Sequence, residues 1–298
     1  VFEGRVYTLG AVGRACCLDA RTGEVIWTTD FVQEWKARLP TWGLAASPLL
    51  LGELVILHAG VPGGCFVALD RQTGKKVWQS GEDPAGYCTP TLIEAPSGPQ
   101  LLAWSPLHVM GLDPRTGEIY WQIPYKVTYG VSIAAPVYKD GIACVMGYWE
   151  GTKAIKLGAS RSDATLLWEE NRNLRGLMSQ PLEKDGYVYG LDKQSGVTCF
   201  ELASGRKKWD DGNQLTARGR NPQLSLTWLA GTDRVLSLNA EGELLLLQFT
   251  PEKYTELGRT KMIDPPASTP IWAHPAYAGL YVYARSDEEL ICRRLLAE

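Results

Sequence analysis

Between apolar stretches the chain writes the same turn several times over. LDARTGEVIW (18–27), LDRQTGKKVW (69–78) and LDPRTGEIYW (112–121) share an Asp, a Thr-Gly pair three residues on, and a Trp four residues after the Gly. FELASGRKKW (200–209) is a looser copy with Glu201 in the Asp position. A motif copied this often makes the chain a tandem array of one supersecondary unit, which limits the folds open to it.

The motif has the chemistry of a tight hairpin. An Asp carboxylate accepts backbone N–H groups two and three residues ahead, and Gly takes the left-handed conformation that closes a type I turn with a bulge. Asp19, Asp70 and Asp113 are therefore turn carboxylates rather than metal ligands or acid–base groups, and Gly23, Gly74, Gly117 and Gly205 are the turn glycines. Trp27, Trp78, Trp121, Trp168 and Trp209 fall on the strand leaving each hairpin. An indole that buries about 200 Å² contributes at most ~5 kcal/mol, enough to explain why Trp recurs there.

Between the hairpins lie ASPLLLGELVIL (46–57), APVYKDGIACVM (135–146), QPLEKDGYVYGL (180–191) and HPAYAGLYVYA (274–284). Each runs from Pro through a Gly turn into alternating apolar residues, the pattern of a strand that starts at proline and turns back at glycine. The module is four antiparallel strands, A to D, with the Thr-Gly hairpin between C and D. Units of this kind repeated at roughly 40 to 45 residues are propeller blades. No segment has a helical period; 34–38 and 171–176 read as loops with at most one helical turn. The expected fold class is an all-β propeller with blades centred near residues 20, 71, 114, 162, 203, 251 and 290, forming a single domain over 1–298. The seventh blade stops before a fourth strand and nothing before Val1 supplies one, so the chain reads as trimmed at the N-terminus from a parent that has room for an eighth blade.

Charged residues make up 21% and the formal net charge is -3, which gives no broad basic surface for nucleic acid. Apolar runs such as LLLLQF (244–249) fall far short of the roughly 20 residues that cross a bilayer as a helix. VFEGRVYTLG at the start has no signal-peptide pattern, so any targeting segment lies outside this sequence.

The D-x-x-T-G-x-x-x-W hairpins with their S/T-P openings, together with WGLAASP (42–48), DPAGYCTP (83–90) and WAHP (272–275), resemble the pyrroloquinoline-quinone-like (PQQ-like) propeller repeat. That repeat is found in quinoprotein dehydrogenases and in the non-enzymatic BamB lipoproteins, and the style is similar to exported bacterial PQQ-binding-like propeller proteins. The resemblance implies a periplasmic or cell-envelope location. It also implies one of two functions: a scaffold that needs no cofactor, or a PQQ-dependent alcohol or sugar dehydrogenase with PQQ and Ca²⁺ at the channel mouth.

The enzyme would need a carboxylate base, a Ca²⁺ held by carboxylate and amide oxygens and, in many members, a disulfide between adjacent cysteines. Cys16 and Cys17 are adjacent, but Cys17 aligns with Ala68, Gly111 and Cys199, a position that takes a small residue on strand C. Seven cysteines without a CxxC or Cys/His cluster indicate neither a zinc site nor a disulfide framework. His58 and His108 read as partly exposed strand imidazoles. No Ser lies in a G-x-S-x-G elbow.

Functional groups in a propeller gather where D-to-A loops and A-strand starts surround the channel. Aligning the blades puts Ser47, Thr89, Ala135, Gln180, Ser225 and His274 in an inner ring, with Trp42, Tyr87 and Trp272 just before it and Arg38, Lys126, Arg175, Arg218 and Arg220 in the same loops. The candidate ligand-binding set is Trp42, Tyr87, Arg175, Arg220, Trp272 and His274, suited to a protein partner or a planar or anionic ligand on one propeller face. Glu169, Glu170, Asp210 and Asp211 are the carboxylates expected to neutralise the arginines. A carbohydrate- or peptide-binding propeller is a third reading, resting on exposed Trp and Tyr.

Overall fold

The computed structural model describes residues 1–176, 178–219, 221–266 and 269–295. They form seven antiparallel sheets, the blades of a β-propeller: blade 1 (5–30), blade 2 (49–80), blade 3 (91–124), blade 4 (137–170), blade 5 (182–210), blade 6 (227–261) and blade 7 (276–294). Blades 2 to 6 have four strands each, in chain order across the sheet. Blade 1 has three, corresponding to B, C and D, and blade 7 has three, corresponding to A, B and C. Among the described residues there is no α-helix. The one helical turn is a short 3₁₀ turn at Thr128–Gly130, outside both segments the sequence left open to one.

The chain divides into two compact units, Val1–Trp168 and Glu169–Glu298. The first holds blades 1 to 3 and blade 4 through Trp168.

Inside the first unit the core lies between neighbouring sheets. In strand B of blade 2 (Leu54–Val61), Val55, Leu57, Ala59 and Val61 join Tyr7, Trp27 and Phe31 of the blade 1 segment, while Ile56 turns the other way, towards Leu101, Met110 and Leu112 of blade 3. The two-residue alternation of a strand thus loads both faces of one sheet, which is why inner strands read as nearly continuous apolar runs. In the second unit Leu238, Leu244, Val282 and Ala284 form the equivalent layer between blades 6 and 7.

The hairpins have the expected geometry. Asp19 Oδ1 accepts the N–H groups of Arg21 and Thr22 at 2.9 and 2.8 Å, and Asp70 Oδ1 accepts those of Gln72 and Thr73 at 3.2 and 2.8 Å. These bonds, led by the Thr22 amide for Asp19 and the Thr73 hydroxyl for Asp70, hold both carboxyls below the usual range. The bulge falls just before the turn each time, at Cys17/Leu18, Ala68/Leu69, Gly111/Leu112 and Cys199/Phe200. The residue on the strand C side of each bulge faces the motif Trp: Cys17 opposite Trp27, Ala68 opposite Trp78, Gly111 opposite Trp121, and Cys199 opposite Trp209. An indole across the strand explains the demand for a small residue. Cys16 and Cys17 point to opposite faces, and all seven cysteines are free thiols.

Candidate functional site

Within each blade the C–D hairpins and A–B turns lie at one end, and the D-to-A loops and B–C turns at the other, the loop end. In the first unit, loop 81–90, between blades 2 and 3, ties the loop end together.

Two of its residues, Gly86 and Cys88, reach His58, which is fully buried rather than partly exposed. Its Nδ1–H donates to Cys88 O at 3.0 Å, and Nε2 accepts the Gly86 N–H at 3.0 Å with Cys65 Sγ at 3.3 Å. These partners fix a neutral tautomer, and burial pulls the imidazole down to about 4. The Cys65 thiol beside it is pushed well up by the same burial, so the pair is a clamp and not a thiolate–imidazolium couple.

Asp83 of the same loop reaches blade 3. Asp83 Oδ2 accepts from the Ser105 hydroxyl and lies 2.7 Å from His108 Nδ1. Ser, His and Asp are thus brought together, but Ser105 gives its proton to the carboxylate and accepts the N–H groups of Leu107 and His108 at 3.1 and 2.9 Å. Nucleophilic catalysis needs the hydroxyl on the imidazole, so this wiring closes a loop rather than activating a serine. His108 itself is partly exposed, as its strand context implied.

The remaining ties run along the ring positions. Ser47 N–H donates to Thr89 Oγ1 at 2.8 Å, Tyr87 N–H to Ser132 O at 2.9 Å, and Trp42 N–H to the Tyr87 hydroxyl at 3.3 Å. Tyr87 is buried, and its ring centroid lies 5.9 Å from that of Trp42, whose side chain is 62% exposed. Of the six candidate residues, these two form a pair: Tyr87 supports and Trp42 presents.

Arg175, Trp272 and His274 belong to the second unit, and Arg220 lies outside the described residues. The Arg175 N–H donates to Asp192 Oδ2 at 2.7 Å, and Asp192 Oδ1 caps Gln194 and Ser195 at 2.9 Å each. Asp192, Ser195 and Gly196 repeat the D-x-x-S/T-G turn at the loop end. Sequence reasoning passed over this copy because no Trp follows it. Ser179 Oγ accepts the Leu224 N–H at 3.3 Å, linking adjacent loops one residue before the expected ring positions Gln180 and Ser225. Trp272 lines a cavity of about 170 Å³ with Arg285 and Asp287, and His274 is exposed two residues further on. Three of the four carboxylates expected to neutralise the arginines have other partners: Asp210 pairs with Lys207 at 2.6 Å, Glu170 caps Arg172 and Asn173, and Asp211 caps Asn213 and Leu215.

A Ca²⁺–quinone site needs several oxygen donors around one point. Among the described residues no three carboxylate, imidazole or thiol groups converge that way, and at the loop end of the first unit the Asp83 carboxylate is already taken by Ser105 and His108. Asp83 Oδ2 therefore has no lone pair to spare there.

Comparison with known proteins gives matches of two kinds. The model of the family described as outer membrane protein assembly factor BamB matches residues 1–211. The chain is 24% identical over 246 residues to outer membrane protein assembly factor BamB of Burkholderia pseudomallei, covering 68% of this chain and 62% of that protein. It is 31% identical over 137 residues to a quinoprotein ethanol dehydrogenase of Pseudomonas putida, covering 41% of this chain and 22% of the enzyme. The chain therefore spans less than two thirds of the length of either relative. The crystal structure of BamB from Moraxella catarrhalis superposes with a TM-score of 0.66 at 18% identity, over 97% of this chain and 78% of that one, a likeness of fold.

Proposed function

The chain belongs to the family of the outer membrane protein assembly factor BamB, and on that premise we propose that it is a non-catalytic β-propeller scaffold of an exported bacterial protein, docking a protein partner in the cell envelope. The observation that carries this reading is loop 81–90, tied to its neighbours through Asp83, Gly86, Tyr87, Cys88 and Thr89 beneath an exposed Trp42. A loop ordered by its own protein loses little further entropy on binding, and a rigid exposed indole is the kind of anchor that dominates protein interfaces. The polar groups that chemistry would need are spent on holding the loop. Arg175, Arg220, Trp272 and His274 are the further contacts proposed for the partner or for a planar or anionic ligand. No cofactor is required.

The competing reading is a PQQ-dependent dehydrogenase, favoured by the stretch similar to quinoprotein ethanol dehydrogenase. Titrating the purified protein with PQQ and Ca²⁺ and assaying dye-linked oxidation of ethanol separates the two. The scaffold gives no saturable quinone spectrum and no turnover; turnover that depends on both additions removes it.

A further inference from the structure

A second cavity, of about 310 Å³, opens in the first unit and is lined by Glu34, Trp35, Val61, Pro62, Lys76 and Gln79. It reaches the lower end of the roughly 300–1,000 Å³ range of small-molecule sites. None of the ring residues or loop contacts described above belongs to it.

Hydrogen bonds within the chain tie the exposed Glu34, Lys76 and Gln79 that line it. Asp30 Oδ1 accepts the N–H groups of Val32 and Gln33 at 3.1 and 2.9 Å, and Glu34 Oε1 reaches back to the Asp30 N–H at 3.1 Å. This reciprocal cap sets the turn that carries Trp35. The indole meets the fully buried Phe31 edge-on, with centroids 5.1 Å apart. Across the cavity, Lys76 Nζ donates to Gln79 Oε1 at 2.9 Å, and Gln79 Nε2 donates to Pro62 O at 3.1 Å. The ammonium lies 5.3 Å from the Trp35 ring centroid.

The groups left for a ligand follow by subtraction. Both ends of the Gln79 amide are engaged. Lys76 has donors to spare and makes no ion pair among the described residues, and Glu34 Oε2 is a second acceptor beyond the cap. Trp35, Val61 and Pro62 supply an apolar wall. The opposed charges disfavour a simple anion, which Glu34 would repel, and a simple cation, which Lys76 would repel. A neutral molecule with one apolar face and several hydroxyls meets all three features, because each hydroxyl both donates and accepts. We propose that this cavity is a binding site for a neutral pyranose saccharide, its hydroxyls bridging Glu34 and Lys76 and its C–H face against Trp35, Val61 and Pro62.

The site is independent of the scaffold reading, and so is its test. Saturation-transfer NMR and calorimetry with maltose, cellobiose, lactose and chitobiose are expected to show saturable binding of at least one of them. That binding should weaken about tenfold or more in Lys76→Met and in Glu34→Gln, which keeps an oxygen for the Asp30 cap, with thermal unfolding unchanged. Trp35→Ala is avoided as the primary probe because Phe31 packs on that ring. No saturable binding of any of the four at millimolar concentration, binding that both variants retain, or binding confined to glucuronic acid used as a charged control each overturns the proposal.

Discussion

The indole N–H of Trp27 in blade 1 donates to the carbonyl oxygen of Arg71 at 3.0 Å, inside the hairpin of blade 2. The same hairpin lays Gly74 on the indole face: a Cβ added there would sit 2.8 Å from ring carbons of Trp27. Gly117 of blade 3 stands in the same relation to Trp78, at 2.6 Å. At these two joints the Thr-Gly turn of one blade receives the Trp of the blade before it. Arg71 tightens the first joint with ion pairs to Glu3 at 2.8 Å and Glu53 at 2.9 Å.

This joint separates two costs of replacing a turn glycine. Gly23, Gly74 and Gly117 all have φ near +75°, but a Cβ at Gly23 meets nothing within 4 Å. Gly23→Ala should cost about 1–2 kcal/mol for the left-handed conformation alone. Gly74→Ala and Gly117→Ala should cost about 1–3 kcal/mol more, since the added methyl overpacks an indole. Urea unfolding of the three variants checks this ordering.

Acid should weaken the fold through His58. The unfolded imidazole binds its proton below its ordinary value of 6.5, whereas the native ring, neutral by burial, resists until about 4. Stability is therefore full above about pH 6.5 and falls by about 3 kcal/mol as the pH drops to about 4. Asp19 and Asp70, whose native carboxyls lie below 3.8, lose their contribution only at lower pH. His58→Phe, which strands the Gly86 N–H and the Cys88 carbonyl, should unfold more easily at pH 7 yet show a flatter slope between pH 6.5 and 4. Urea midpoints across that window give the comparison.

Thiol reactivity reports the same burial. Cys65, Cys88, Cys144 and Cys199 are enclosed and their thiols raised, Cys88 and Cys199 to about 12, and Cys17 is buried opposite Trp27. Cys292 is exposed and Cys16 half-buried. A thiol-disulfide reagent should label Cys292 and then Cys16 in the native protein, and the other five only after denaturant. Early loss of both Cys16 and Cys17 by mutual oxidation would contradict the strand register.

How much of this was legible follows from which interactions repeat. The turn carboxylates, turn glycines and following indoles recur in blades 1 to 3, and more loosely in blade 5, so their chemistry shows as spacing. The small residue opposite each Trp could be read from Cys17, Ala68, Gly111 and Cys199 by the same alignment. His58 could not: its burial depends on Gly86 and Cys88 in a loop 28 and 30 residues away, an arrangement made once. Tyr87 was visible as a loop aromatic, but its position beneath Trp42 depends on a backbone bond to Ser132. The cavity at Trp35 escaped notice because its parts come from the blade 1 cap, one B–C turn and a strand D, none of which carries a shared motif.

Docking of a protein on the loop end beneath Trp42 can be read by site-specific photocrosslinking in the producing bacterium. A photoreactive residue at position 42 should yield one discrete protein adduct in the cell envelope, while the same residue at Arg21, on the hairpin end, yields none. Equal labelling from both positions, or none from position 42, would rule out docking at this end.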